Sequence, residues 1–435
     1  MRRLTESAAG QLIAARAFAG GPPGFVGAAL DLPGPASPAG TTPGRPVAFG
    51  AGREQAQPEG SARRALRHGF LAARADGSVT VSGPPSPGLE SCLARMGDDL
   101  ATLLGIRSGG GAVAGIRVGV EAGLDGGGPL GLNRRWRLAH TLAPVLAAAF
   151  ANSPSGGGWR SGRAARHRNR PVLPGTADAG PVGIGLVTAI GSESTSTSGA
   201  RAGEFDQGGS AASAGGSHPS GSRPGGSDSG GSNLVGDGPA SRGSGGAALN
   251  PCIAELGGID PRWGREGPGA DPRAGWTASV MDATVVGGDR SFRDWTRSDE
   301  PPVEDDLRRH LDALRAPVKA LGHLELDVAD GQEGDGWRVA VAVIATLLDD
   351  PVAATAAEAA TGHFAYGQGV WERAARDALA DAELAAAARE CFVAAYAALA
   401  RRGAPRELRD AVAAYTERYV MRGRCPADDC PYQVG

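Results

Sequence analysis

The clearest periodic patterns lie in the last third of the chain. Residues 304–314, EDDLRRHLDAL, open with acidic side chains and carry leucines at helical spacing, which predicts an amphipathic helix. Residues 322–330, GHLELDVAD, alternate between apolar and polar side chains, which predicts a strand with one face toward a core. Further helices are predicted over residues 337–348, 371–379, 382–402 and 405–422. The last third is therefore predicted to be one strand followed by a helical bundle.

The first third alternates helical segments with Gly/Pro loops. Residues 77–82, GSVTVS, predict a short strand between turns. Residues 89–104 predict an amphipathic helix. Residues 136–150 predict a buried helix that Pro144 should begin or kink.

Composition separates the middle of the chain from both ends. The 435 residues include 70 glycines and 31 prolines, and residues 171–250 consist largely of Gly, Ser and Ala. With few large apolar side chains, such a segment cannot bury enough surface to offset its chain entropy. We therefore predict three parts: 1–170, a flexible Gly/Ser-rich insertion at 171–250, and 251–435, the two ends forming one domain.

Charge and hydropathy exclude several classes of protein. Lys and Arg total 44 against 47 Asp and Glu, a net charge of −3, which argues against nucleic-acid binding. No apolar run reaches the roughly 20 residues that span a bilayer, and charged residues interrupt the N-terminal segment, unlike a secretory signal. The five cysteines are too scattered for a disulfide framework. We expect a cytoplasmic protein without a membrane or nucleic-acid partner, and the oligomeric state stays open.

A polar loop after the predicted buried helix is the first candidate for chemistry. It contains Asn152, Ser153, Trp159, Arg160 and Arg163, and guanidinium groups suit bidentate binding of carboxylate or phosphate. The alternative is a solvated loop with surface arginines, which the spacing alone favours.

The polar face of the strand at 322–330 is the second candidate. It carries His323, Glu325 and Asp327, with Asp330 just beyond, and Mg²⁺ prefers one or two carboxylates together with phosphate and water. The more common alternative is a strand surface that faces solvent. The pair Cys425 and Cys430 lacks the further ligands of a zinc site. The glycine run at 123–131 lacks the residues of a phosphate-binding loop.

Several segments, taken in order, resemble the actinobacterial glutamate–cysteine ligases of the EgtA type, in glutamate–cysteine ligase family 2. They are RWRLAH (135–140), FANSP (150–154), GWRSGR (158–163), DPRAGW (271–276), FRDW (292–295), DDLRRHL (305–311), GHLEL (322–326), DGW (335–337) and LLDDP (347–351). The resemblance covers residues 20–170 and 258–430. It implies an α+β fold, in which a glutamine-synthetase-like antiparallel sheet forms a cradle and the C-terminal part is helical.

The resemblance also implies a reaction. ATP would phosphorylate the γ-carboxylate of L-glutamate with the help of Mg²⁺, and the amine of L-cysteine would attack the acyl phosphate, giving γ-glutamylcysteine for ergothioneine biosynthesis. By resemblance, Glu325 and Asp31 would bind the metal, and Arg160 and Arg163 would be catalytic. The substrate pocket would be lined by Asn152, Ser153 and Trp159.

The sequence departs from the family where charge matters most. Ala29, Arg74 and Thr80 stand where the family has glutamates, Arg117 replaces a glutamine, and Asp327 replaces an arginine. These departures leave two alternatives beside the active ligase. One is a catalytically degenerate homologue that acts as a binding or scaffold protein. The other is a carboxylate–amine ligase with a different amine.

Overall fold

An antiparallel sheet of eight strands forms the centre of the computed structural model. The strands are β1 Phe25–Leu32, β2 Arg63–Ala65, β3 Phe70–Ala73, β4 Val79–Ser82, β5 Ser86–Pro87, β6 Gly115–Val120, β7 Val318–Ala320 and β8 Leu324–Asp330. Their order is β2-β3-β4-β1-β6-β8-β7, and β5 pairs with β1. The predicted α+β class with an antiparallel sheet is confirmed, whereas its likeness to glutamine synthetase stays a prediction.

The structure describes residues 3–19, 23–32, 63–73, 79–106, 113–126, 128–155, 157–170, 172–173, 271–285 and 288–430. They belong to one unit, which Met1–Gly180 forms together with Arg265–Gly435. A second unit, Pro181–Gly264, lies outside the described residues, as does most of the predicted Gly/Ser-rich insertion. The predicted three-part division of the chain stays a prediction.

Twelve α-helices surround the sheet in the described residues. They are α1 Glu6–Ala17, α2 Leu89–Ile106, α3 Leu132–Ala149, α4 Gly162–Ala165, α5 Pro272–Asp282, α6 Phe292–Thr296, α7 Glu304–Ala313, α8 Gly336–Asp349, α9 Pro351–Thr361, α10 Val370–Arg376, α11 Ala382–Arg401 and α12 Arg406–Arg418. Short 3₁₀ helices cover Gly362–Tyr366, Ala378–Ala380, Val420–Arg422 and Pro426–Asp429. The helices predicted in the first and last thirds are confirmed within a few residues at most ends.

Local sequence explains where the central helices begin and end. Asp350 separates α8 from α9, and its carboxylate accepts the backbone N–H groups of Val352 and Ala353, the role of an N-cap residue. Pro144 lies inside α3 rather than at its start, because every residue from Leu138 to Ala149 is buried in the core. Gly403 and Gly423 have φ of 69° and 64°, the left-handed conformation common directly after a helix.

The two faces of the sheet differ in character. One face carries Leu30, Ile116, Val118 and Leu326, all fully buried, and α2, α3 and α8 pack on the strands. The other face is polar and holds the candidate site. The last third of the chain, predicted as one strand followed by helices, contributes two strands, because the three-residue β7 pairs with β8. Three helices, α5, α6 and α7, precede both strands.

No single helix in the described residues has both the length and the hydropathy to cross a membrane. One pair meets that test jointly, Gly336–Asp349 with Pro351–Tyr366, but it is bent by 95°.

Candidate functional site

One row of residues crosses four strands on the polar face of the sheet. Asp31 in β1 lies opposite Thr80 in β4 and opposite Gly115 in β6. Gly115 in turn lies opposite Asp330 at the end of β8. Two carboxylates therefore flank a glycine, which leaves a gap over the middle of the sheet.

Arg163 from α4 fills this gap. Its guanidinium forms ion pairs with Asp31 Oδ2 at 3.2 Å and with Asp327 Oδ1, and its Nε lies 3.8 Å from Asp330 Oδ1. A Cβ atom added to Gly115 would lie 1.5 Å from Arg163 Nη2. Glycine is therefore the residue that allows the guanidinium to lie against β6.

Two more cations lie on the same face. Arg117 in β6 donates to Asp31 Oδ1 at 2.9 Å and lies 3.9 Å from Glu325 Oε1. Lys319 in β7 donates to Glu325 Oε1 at 2.8 Å, and its Nζ lies 3.6 Å from an oxygen of Asp327. We call these residues the cradle network: Asp31, Arg117, Arg163, Lys319, Glu325, Asp327 and Asp330.

Burial and close charges shift the pKa values of the cradle network. Burial raises the pKa of Asp327, but Arg163, Lys319 and Arg117 outweigh it and hold that pKa at about 2. Burial opposes the charged form of Arg163, yet the surrounding carboxylates raise its pKa. For Asp330 burial dominates, and its pKa is raised. The carboxylate of Asp327 is thus held ionised by its cationic neighbours.

Two residues near this face were not predicted from the sequence. Lys319 is 5% exposed and lies in a strand too short for its pattern to reveal. His167 follows α4, is buried, packs edge-on against Trp371, and has a pKa lowered to about 4 by burial and by Arg170. A basic residue in the apolar segment APVKA was the available signal for Lys319.

Asn152 and Ser153 hold the loop to the sheet. The backbone N–H of Asn152 donates to Asp330 Oδ2 at 2.9 Å, and its side-chain amide donates to the carbonyl of Gly331 at 2.7 Å. Ser153 Oγ accepts the N–H of Gly162 at 2.9 Å. Both side chains thus fix the segment that carries Arg163, and their predicted substrate contacts stay a prediction.

Arg160 and Arg163 point to different parts of the molecule. Arg160 donates to the carbonyl of Asp377 at 2.7 Å and pairs with Asp428 at 3.1 Å, so it joins the helical C-terminal part. The ring of Trp159 lies 4.9 Å from the guanidinium of Arg376. Of the two arginines predicted to be catalytic, the structure brings only Arg163 to the carboxylates of the cradle network.

The strand face of β8 is not the solvated surface that the simpler interpretation expected. Asp327 is 7% exposed and the side chain of Glu325 14%, because Arg163 and Lys319 cover them. His323 lies farther along, where its ring approaches the position of a Cβ on Gly119. The four polar residues of this strand therefore do not act as one group.

The residues that the structure describes do not fit Mg²⁺. Both predicted ligands, Glu325 and Asp31, already bind internal cations. Within the described ranges no three His, Cys, Asp or Glu side chains are grouped so that they could hold a metal ion. Arg163 separates Asp31, Asp327 and Asp330 from one another, so the carboxylates converge on a guanidinium instead of on a shared metal position.

Residues 260–431, which supply β7, β8 and the helices after them, match the family model of glutamate–cysteine ligase family 2. The chain is 29% identical over 330 residues to glutamate–cysteine ligase EgtA of Mycolicibacterium smegmatis, covering 75% of this chain and 60% of the relative. It is 28% identical over 315 residues to the EgtA of Mycobacterium tuberculosis, covering 71% and 55%. The predicted EgtA-type resemblance is confirmed.

The cradle network extends beyond the segment that matches the ligase family. Lys319, Glu325 and Asp327 lie inside residues 260–431, whereas Arg117 and Arg163 precede it. The chain spans 60% or less of the length of these EgtA relatives. Arg117 and Arg163 thus bring positive charge from outside the matching segment to the carboxylates of Glu325 and Asp327 within it.

Proposed function

We propose that this chain is a catalytically degenerate relative of the glutamate–cysteine ligases, which keeps the scaffold to bind an amino acid, a nucleotide or a protein partner without ligating. One observation carries the proposal: both carboxylates predicted to bind metal are neutralised by internal cations, Glu325 by Lys319 and Asp31 by Arg117 and Arg163.

Phosphoryl transfer depends on cations that neutralise the triphosphate, and carboxylates must hold those cations. Here a divalent ion near Glu325 would have to displace the ammonium of Lys319 or remain beside it. Two like unit charges 4 Å apart repel by about 4 kcal/mol at an effective dielectric constant of 20, and a divalent ion doubles this. The cradle network therefore opposes metal-assisted chemistry on this face.

The second candidate function is that of the relatives. Similarity to two EgtA ligases favours ATP-dependent ligation of L-glutamate to L-cysteine, giving γ-glutamylcysteine for ergothioneine biosynthesis. ATP, Mg²⁺, L-glutamate and L-cysteine would then be the ligands, and Arg163 would face the reacting groups. The metal ligands would have to come from outside the described residues. A cytoplasmic location stays a prediction under both candidates.

The deciding experiment measures γ-glutamylcysteine formation and phosphate release from ATP by the purified full chain, with Mg²⁺, L-glutamate and L-cysteine present. Glu325→Gln tests the cradle network. Glu358→Gln is the matched control, because Glu358 pairs with Arg134 between α3 and α9, and an EgtA relative serves as the active reference.

The degenerate function predicts background signals from wild type and from both variants. Cysteine-dependent product from wild type that is lost in Glu325→Gln and kept in Glu358→Gln would refute it and establish the ligase.

A further inference from the structure

We infer that Lys319 and Arg117 are tethered counter-ions that take the place of divalent cations over the sheet, so that removing them exposes a working cation site. The inference deepens the proposed function and rests on the same cradle network, but its test measures metal binding without ATP or turnover.

Lys319 lies where a cation between two carboxylates would lie. Its ammonium is 2.8 Å from Glu325 Oε1 and 3.6 Å from Asp327 Oδ2. Glu325 and Asp327 alternate along β8 on one face, and Lys319 lies directly opposite Glu325 in β7. Replacing the lysine with alanine leaves two anionic oxygens around the vacated volume, the number of carboxylates that Mg²⁺ commonly takes alongside water.

Arg117 joins the carboxylates of two other strands. It pairs with Asp31 at 2.9 Å and lies 3.9 Å from Glu325. Its Nε is buried and has no hydrogen-bond partner among the residues that the structure describes. A buried donor without an acceptor is unfavourable, so hydrogen bonds satisfy Arg117 only in part, although its Nη2 donates to Asp31 Oδ1 and Thr80 Oγ1.

The charge balance identifies what the two residues do. Three cations, Arg117, Arg163 and Lys319, face the four carboxylates of the cradle network. Without Arg117 and Lys319, four carboxylates would remain beside one guanidinium. A cluster with that excess of buried negative charge attracts any available cation.

The test is Mn²⁺ binding by the purified full chain, measured from the electron paramagnetic resonance signal of free Mn²⁺. The variants are Lys319→Ala and the double variant Arg117→Ala with Lys319→Ala. Arg134→Ala is the control, because it removes an arginine that pairs with Glu358 outside the cradle network.

At about 1 mM Mn²⁺, a concentration typical of weak carboxylate sites, we expect no stoichiometric binding by wild type or Arg134→Ala. The cradle variants, Lys319→Ala and the double variant, should have a Kd for Mn²⁺ about tenfold below that of Arg134→Ala. Mg²⁺ should also raise the Tm of both variants, as a ligand of the folded state does.

Two results would overturn the inference: Mn²⁺ binding by wild type that is lost in Glu325→Gln, or folded cradle variants that bind no more than Arg134→Ala. If the alanine variants do not fold, Lys319→Gln, which keeps most of the side chain, and the wild-type measurement decide the question. Product formation by wild type without binding of Mn²⁺ alone would refute the proposed function and leave this inference standing. Mn²⁺ binding by wild type that is lost in Glu325→Gln, without product formation, would overturn this inference and leave the proposed function standing.

Discussion

Replacing Gly115 with alanine tests whether Arg163 holds the polar face together. Gly115 has an ordinary strand conformation in β6, so alanine is acceptable to the backbone. The added Cβ would however lie 1.5 Å from Nη2 and 2.3 Å from Cζ of Arg163. The guanidinium must therefore move away from Asp31 and Asp327, with which it forms ion pairs.

The size of the effect follows from that displacement. Breaking a buried ion pair by removing one partner costs about 3–5 kcal/mol. Because the displaced arginine can restore part of its contacts, we expect Gly115→Ala to lower the free energy of unfolding by about 2–4 kcal/mol. Gly27→Ala on β1 is the matched control, since a Cβ there meets no atom of the described residues within 4 Å. It should be neutral or stabilise by about 0.5 kcal/mol.

Urea unfolding followed by circular dichroism measures these changes, and a double-mutant cycle isolates their cause. In an Arg163→Ala background the clashing atoms are gone, so Gly115→Ala should cost less than about 0.5 kcal/mol. An equal cost in both backgrounds would refute the proposed contact. So would a Gly115→Ala variant as stable as Gly27→Ala.

Three further predictions concern buried charge. Arg135→Met should destabilise the protein by about 3–5 kcal/mol, because this fully buried arginine pairs with a carboxylate and with two backbone carbonyls; a chemical denaturation midpoint close to that of wild type would contradict it. Asp327→Asn should lower the free energy of unfolding by about 2 kcal/mol, since cationic neighbours hold the pKa of Asp327 at about 2. Asp330→Asn should lower it by less, because burial raises the pKa of Asp330. The reverse order in urea unfolding would count against the assigned ion pairs. Burial lowers the pKa of His140 to about 3 and that of His167 to about 4. Below pH 6.5 the unfolded chain therefore binds protons at these histidines that the folded chain does not. The free energy of unfolding should fall as the pH drops from 6.5 toward 4, by up to about 1.4 kcal/mol per pH unit for each histidine. Unfolding midpoints measured across this range check the slope, and a flat profile in this range would show that these histidines are not buried neutral.

Local patterns predicted the elements whose signals lie within one segment. The leucines and first-turn acids of α7 and the alternation of β8 are complete in about ten residues each, and both elements form where predicted. β7 has three residues, Val318–Ala320, too few for any periodicity, and it forms because β8 offers a free edge on that side. Pro144 does not begin α3 but lies inside it, because burial on all sides outweighs the loss of one backbone hydrogen bond.

The candidate site shows the same division. The sequence singled out Arg160 and Arg163 as one motif, but only the tertiary structure sends Arg160 to Asp428 and Arg163 to Asp327. Side-chain direction depends on what packs around each position, and three residues of sequence spacing do not fix it.

The sequence by itself determined β8, α7, α8 and the helices after residue 370, together with the resemblance to the glutamate–cysteine ligases, because periodicity and motifs are local or ordered along the chain. Only the tertiary structure decided that Asp31 meets Arg117 and that Glu325 meets Lys319. These pairs come from strands that are distant in the chain or unmarked by pattern, and strand register brings their charges within 3 Å. Coulomb energy depends on that distance, which no spacing in the sequence supplies.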